Sequence, residues 1–261
     1  MSVPIREAAT VVLLRDGAAG LETWLLRRVA KMAFAAGMSV FPGGAVDTED
    51  AVAGLPAAEL MSIADQLGTD TDHAGARVCA AIRETFEEVG VLLVRPPVAV
   101  APAESDRVAV EARTRTFTSL LDELRVALDV TAIRPWARWI TPEGESRRYD
   151  TYFFVAALPA GLTAAAVTGE ASHADWIPVS QALAEATTGE RPMLPPTVTT
   201  LTDIARYGTA AEVLEAAAGR TVTPVQPLLR RDDSGALMVD LGDGRSMRVP
   251  NPLGDPAAGQ G

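Results

Sequence analysis

This 261-residue chain has little of what several functional classes require. Its one cysteine, Cys79, excludes an internal disulfide and a cysteine-rich zinc site, and its two histidines, His73 and His173, leave little scope for imidazole-bound metal. Any metal must therefore be held mainly by oxygen. No run approaches the roughly 18 apolar residues of a membrane-spanning helix, and the first residues lack the charged, apolar and small-residue zones of a secretory signal. A cytoplasmic protein with no membrane partner is expected. Basic residues are outnumbered, 23 against 34 acids, and a net charge of -11 argues against nucleic acid as a partner. A phosphate-bearing ligand needs cations to screen it from such a protein. With 48% apolar residues the chain has enough material for a sizeable core.

What is present alternates between strand and helix patterns. Residues 8–14 form a β-branched apolar run, Asp16-Gly17 marks a turn, and residues 22–28 follow as a partner strand. Ser39-Val40-Phe41-Pro42-Gly43-Gly44 reads as a short strand ended where backbone needs close approach. An Ala/Asp-rich passage, 47–75, holds one short helix at 57–67, followed by Gly68. The clearest helix spans 76–89: Val78, Ile82, Thr85, Phe86 and Val89 form one stripe, and Gly90 stands at the expected left-handed cap. A buried strand is expected at 91–94, a helical region at 105–128, strands at 135–141, 149–158 and 173–179, and helices at 179–187, 197–207 and 210–218. A hairpin turning at Ser234-Gly235 completes the reading.

On the 76–89 helix, at about 100° per residue, Glu84, Glu87 and Glu88 fall within about one quadrant, opposite the apolar stripe and so on the solvent side. Most helical glutamate clusters are solvated faces. Here two penalties count against that reading: like charges at i,i+3 and i,i+4 cost about 0.2–0.5 kcal/mol per pair. Acids in the last turn oppose the helix dipole by about 0.3–1 kcal/mol each. Oxygen-rich carboxylate clusters suit Mg²⁺ or Mn²⁺, which reverse the sign of both terms.

The run Arg83-Glu84-Thr85-Phe86-Glu87-Glu88-Val89-Gly90-Val91 resembles the second half of the Nudix hydrolase signature, departing only at Thr85. Phe41-Pro42-Gly43-Gly44 is similar to its opening, with Asp50 where the signature has Glu. Residues 51–82 stand where the signature has seven positions, an insertion of 25. This long insert, Val91-Leu92-Leu93-Val94-Arg95-Pro96, the run from Arg147 to Phe154 and Leu194-Pro195-Pro196 are similar to the branch typified by the peroxisomal Nudix coenzyme A diphosphatase.

The resemblance implies an α/β fold, an α/β/α sandwich around a mixed, curved sheet. One Nudix domain would span 1–261, with a core of about 8–207, an insertion at 51–75 and a helical and hairpin extension at 208–261. It implies that Glu84, Glu87 and Glu88 ligate Mg²⁺ or Mn²⁺ and that Arg83 orients a catalytic carboxylate. Glu170 is a further candidate ligand, weighed against an ordinary surface acid. Gly43 and Gly44 are candidates for backbone approach to the substrate. Arg27, Arg28 and Arg147 are candidates for phosphate binding, against the alternative of surface ion pairs. Cys79 and the four tryptophans read as core. The substrate implied is a small nucleoside diphosphate derivative, coenzyme A or an acyl-CoA first, ADP-ribose or NADH as alternatives, with a non-catalytic ligand sensor as a third reading. A homodimer is left open.

Overall fold

The computed structural model describes residues 3–29, 35, 37–52, 55–98, 102–165, 171–242 and 244–249. Its strands are β1 (Ile5–Gly17), β2 (Gly20–Arg28), β3 (Ser39–Val40), β4 (Gly43–Ala45), β5 (Val94–Arg95), β6 (Ala127–Leu128), β7 (Ile133–Ile140), β8 (Arg148–Ala157), β9 (Ala171–Pro178), β10 (Pro224–Val225), β11 (Leu228–Arg231), β12 (Leu237–Asp240) and β13 (Ser246–Arg248). Its helices are α1 (Ala57–Leu67), α2 (Thr71–Val89), α3 (Glu104–Glu111), α4 (Phe117–Leu124), α5 (Val179–Thr188), α6 (Pro195–Ile204) and α7 (Ala210–Ala218).

The long strand β1 organises the main sheet. It pairs in parallel with β8 from Ile5↔Arg148 to Leu14↔Ala157, and β7 lies antiparallel to β8 beyond. The other edge of β1 is shared. Residues 14–17 pair with β2, while Ala8, Ala9 and Thr10 pair with β4. β2 diverges from β1 and pairs instead with β3 and β9, so residues 39–45 fill the fork between two separating strands. The Val11 amide donates to the Pro42 carbonyl at 2.9 Å and the Thr10 hydroxyl to the same oxygen, which fastens this wedge.

Alternation along β1 supplies two cores. Ala9, Val11 and Leu13 face α1 and α2, whereas Val12 and Leu14 face α5, α6 and α7. The expected α/β/α sandwich is thus formed, with a mixed sheet. Helix α7 contributes Ala210, Val213 and Ala217 to the second core, and β10 adds to the free edge of β7. Among the described residues no helix is long and apolar enough to cross a membrane.

Several local expectations change. The signature helix begins at Thr71, five residues earlier than its apolar stripe indicated, because the Asp70 side chain accepts from the His73 amide and caps it. The insertion packs as part of the domain: α1 buries Leu60, Ile63, Ala64 and Leu67 in the first core. Gln66 Nε2 then donates to the carbonyls of Ala217, Ala218 and Arg220, tying α1 to the end of α7. The 105–128 region is two helices, since Arg113 adopts a left-handed φ of 56° and Thr116 caps a new start at α4. Of the 91–94 run, only Val94 joins a strand pairing.

Candidate active site

The signature helix α2 is buried on nearly every side, because α1 and α3 pack on the flanks that a lone amphipathic helix leaves to water. Glu84 and Glu87, read from the sequence as solvent-facing, are 9% and 5% exposed, and Arg83 is 2% exposed. Charges at such depth require partners.

Arg83 uses all five of its N–H groups. Nε and Nη2 donate to the two oxygens of Asp50, each at 2.9 Å; Nη1 donates to Glu84 Oε1 at 2.7 Å and Glu87 Oε1 at 3.1 Å; Nη2 also reaches the Ala45 carbonyl at 2.9 Å. Burial opposes its charge, but the hydrogen bonds and charges of Asp50, Glu84 and Glu87 outweigh that and push its pKa up. Arg83 is thus the hub that orients two signature glutamates. Its anchor is Asp50, itself 2% exposed and held by the Asp47 amide at 2.8 Å. Burial, reinforced by Glu87 and only partly offset by Arg83, pushes the Glu84 carboxyl up to about 7.

Glycines bring the backbone onto these acids. The Gly43 amide donates to Glu88 Oε2 at 3.0 Å. A Cβ at Gly44 would lie 2.5 Å from the Glu84 carboxyl carbon, and one at Gly43 would lie 2.5 Å from the Ala9 carbonyl oxygen. Each glycine is therefore required by close approach, Gly43 by the neighbouring strand and Gly44 by the carboxylate.

The acids at the end of α2 are compensated from elsewhere in the chain. Arg107 of α3 donates to the Glu87 carbonyl at 2.7 Å, placing a cation at the helix C-terminus, and Arg113 pairs with Glu87 at 3.2 Å and Asp47 at 2.5 Å. Neither arginine was evident from the sequence, which offered no spacing rule linking α3 to the signature. Carboxylates still outnumber guanidiniums in this cluster. Among the described residues no three acids, imidazoles or thiols already converge at ion-binding distance, since Arg83 and Arg113 engage Glu84 and Glu87. The donor chemistry fits a hard divalent ion: an excess of carboxylate oxygen, a glycine cradle against Glu84, and a Glu84 proton that is easily displaced near neutrality. Glu84, Glu87 and Glu88 are the candidates to hold such an ion.

These groups form one wall of a cleft of about 750 Å³, within the range of small-molecule sites. Gly43, Gly44, Arg28 and Arg147 line it, as do Glu111 and Arg113, which sequence reasoning missed. Arg27 is not brought there. Strand alternation turns it to the opposite side from Arg28, and its side chain is exposed. Glu170 lies outside the described residues. Cys79 sits beside Asp50 and Arg83, where burial and Asp50 push its thiol up and leave it un-ionised, in keeping with a core role.

Comparison with known proteins gives this arrangement a lineage. Over 195 residues the chain is 32% identical to acyl-coenzyme A diphosphatase NUDT19 of Homo sapiens, covering 58% of this chain and 52% of that protein. Over 210 residues it is 33% identical to the protein of the same name from Gallus gallus, covering 59% and 55%. The chain spans about half the length of these curated relatives. The crystal structure of a NUDIX hydrolase from Alicyclobacillus acidocaldarius superposes with a TM-score of 0.71 at 28% identity, covering 82% of this chain and 96% of that one. Residues 57–204 match the family model described as the NUDT19 Nudix domain, a stretch from α1 to α6 that includes β5 to β9. On that match, which extends over more than half of its length, the chain belongs to the NUDT19 Nudix family.

Proposed function

We propose that this chain is a divalent-metal-dependent hydrolase that cleaves the diphosphate of coenzyme A or an acyl-CoA, giving 3′,5′-ADP and the phosphopantetheine half. The observation that carries the reading is the meeting, in one cleft, of Glu84, Glu87 and Glu88 with the Gly43-Gly44 backbone. The names of the curated relatives support coenzyme A over ADP-ribose or NADH. Retention of all three signature glutamates counts against a non-catalytic sensor.

In the reaction, water adds across the P–O–P bridge: its hydroxyl forms a new P–O bond, the bridging P–O bond to the leaving phosphate breaks, and water's other proton passes to that leaving oxygen or to solvent. Mg²⁺ or Mn²⁺, when bound, neutralises the diphosphate and acidifies water. The chain's own contribution is positional. Arg83, fixed by Asp50, holds Glu84 and Glu87, and Gly43 holds Glu88. Arg28, Arg113 and Arg147 place cationic groups around the same cleft for the phosphates.

The test is a panel of coenzyme A, acyl-CoA, ADP-ribose and NADH with Mg²⁺ and with Mn²⁺, comparing wild type with Glu88→Gln. Release of 3′,5′-ADP by wild type is expected, reduced at least about 100-fold in the variant. Absence of 3′,5′-ADP from every coenzyme A substrate refutes the assignment, and undiminished turnover by the variant refutes the placement of the metal.

A further inference from the structure

The C-terminal residues beyond the family match build a separate sheet of β11, β12 and β13. Its two faces differ sharply in chemistry. Leu229 pairs with Val239, and Val239 with Met247, so the three share a face, which Leu237 extends by strand alternation. The opposite face carries Leu228, Arg230, Asp240 and Arg248. Leu228 there is 71% exposed, whereas Leu229 and Leu237 are half-buried and Val239 is buried.

The apolar face does not look into open water. Leu229, Leu237, Val239 and Val249 line the same cleft as Glu84, Glu87 and Glu88. The sheet is held there at both ends: β10, two residues before β11, pairs with β7 at Val225↔Trp139, and the Thr199 hydroxyl of α6 lies 3.5 Å from Met247 Sδ in β13. One continuous cleft thus has an acidic wall and an apolar wall. A ligand that fills it is apolar at one end and polar at the other, where a divalent cation on the glutamates and Arg28, Arg113 and Arg147 would accept an anionic group.

Resting on the coenzyme A reading above, we infer that the β11–β13 sheet is the selectivity wall of the enzyme. It packs against the apolar acyl substituent of a coenzyme A thioester whose diphosphate lies at the signature glutamates. Substrate choice is then made by residues 228–249, outside the signature and outside the 57–204 family match.

The test measures kcat/KM with Mg²⁺ for acetyl-, butyryl-, hexanoyl- and octanoyl-CoA in wild type, Leu229→Gln, Leu237→Gln and the outward-facing control Leu228→Gln. Wild type should gain with chain length, by up to about fourfold per methylene that the wall covers. Leu229→Gln and Leu237→Gln should at least halve the logarithmic slope, while Leu228→Gln keeps it. Thermal melting monitors folding, and Leu229→Ala and Leu237→Ala replace any glutamine variant that fails to fold. A flat wild-type series, or parallel slopes in wild type and both inward-facing variants, overturns the inference while leaving the coenzyme A assignment intact. Failure of wild type to release 3′,5′-ADP from every member is the separate result that removes the assignment itself.

Discussion

Asp50 grips Arg83 through two parallel hydrogen bonds of 2.9 Å across 33 positions of chain. Both side chains are 2% exposed, so each is the other's principal compensation for burial. Removing one partner of a buried pair strands the other charge, at about 3–5 kcal/mol. Asp50→Ala is therefore expected to lower unfolding stability by about that amount in urea titration, and to lower kcat through loss of Glu84 and Glu87 orientation. Unchanged stability would remove Asp50 as the anchor.

The adjacent glycines separate stability from activity. An alanine at Gly43 meets backbone of β1, so Gly43→Ala should cost about 1–3 kcal/mol of stability as β4 is pushed off its partner. An alanine at Gly44 meets a carboxylate instead, so Gly44→Ala should leave the urea midpoint nearly unchanged and cut kcat by about tenfold or more, the scale of a 1 Å misplacement at the reacting centre. Equal effects of the two substitutions on stability and on turnover would contradict this division.

Glu84 makes metal-free stability depend on pH with a definite sign. Its folded pKa, up to about 7, lies above the ordinary 4.5, so between those values the folded chain retains a proton that the unfolded chain has lost. Its contribution to stability is thus greatest below 4.5 and declines as pH rises through 7. In chelator, Glu84→Gln should flatten that part of the stability profile. If Glu84 ligates the ion as proposed, Mg²⁺ competes with that proton, and affinity followed by calorimetry should rise with pH up to about 7 and then level off. A profile of the same slope in Glu84→Gln would assign the dependence to another group.

Arg113 is half exposed and touches Glu87 and Asp47 without being fastened by a buried shell. Arg113→Met should cost less than about 1 kcal/mol of stability. Because it removes a cation that competes for Glu87, Mn²⁺ should bind more tightly, by several-fold, while KM for the anionic substrate rises. Weaker Mn²⁺ binding would mean that Arg113 holds Glu87 in its ligating position.

Local features were legible in the sequence where a residue type answers a local demand. Helix α1 spans 57–67 as read, Gly68 takes the left-handed φ of 63° that ends it, and Gly90 does the same for α2. The hairpin turning at Ser234-Gly235 also forms as read. Periodicity placed Glu84, Glu87 and Glu88 together but misjudged their exposure. A helical wheel records the helix alone, and it was the Gly43-Gly44 backbone, the Asp50-anchored Arg83 and Arg113 that enclosed the acids. Arg107 and Arg113 were invisible for a related reason: a guanidinium that compensates a site from another element obeys no spacing. The C-terminal hairpin was readable as strands, yet nothing in its alternation indicated which element its apolar side would face.

The Gln66 amide closes a loop of cause across the molecule. It caps the end of α7, and the chain leaving that cap runs directly through β10 into the sheet that walls the cleft. The segment lengthening the signature and the segment trailing the family domain are therefore in direct contact, joined by the Gln66 side chain and by the Val222 amide on the Gln66 carbonyl. Transplanting this signature helix into another scaffold without its preceding insert would carry over the acids while removing one of the contacts that fix the approach to the far wall.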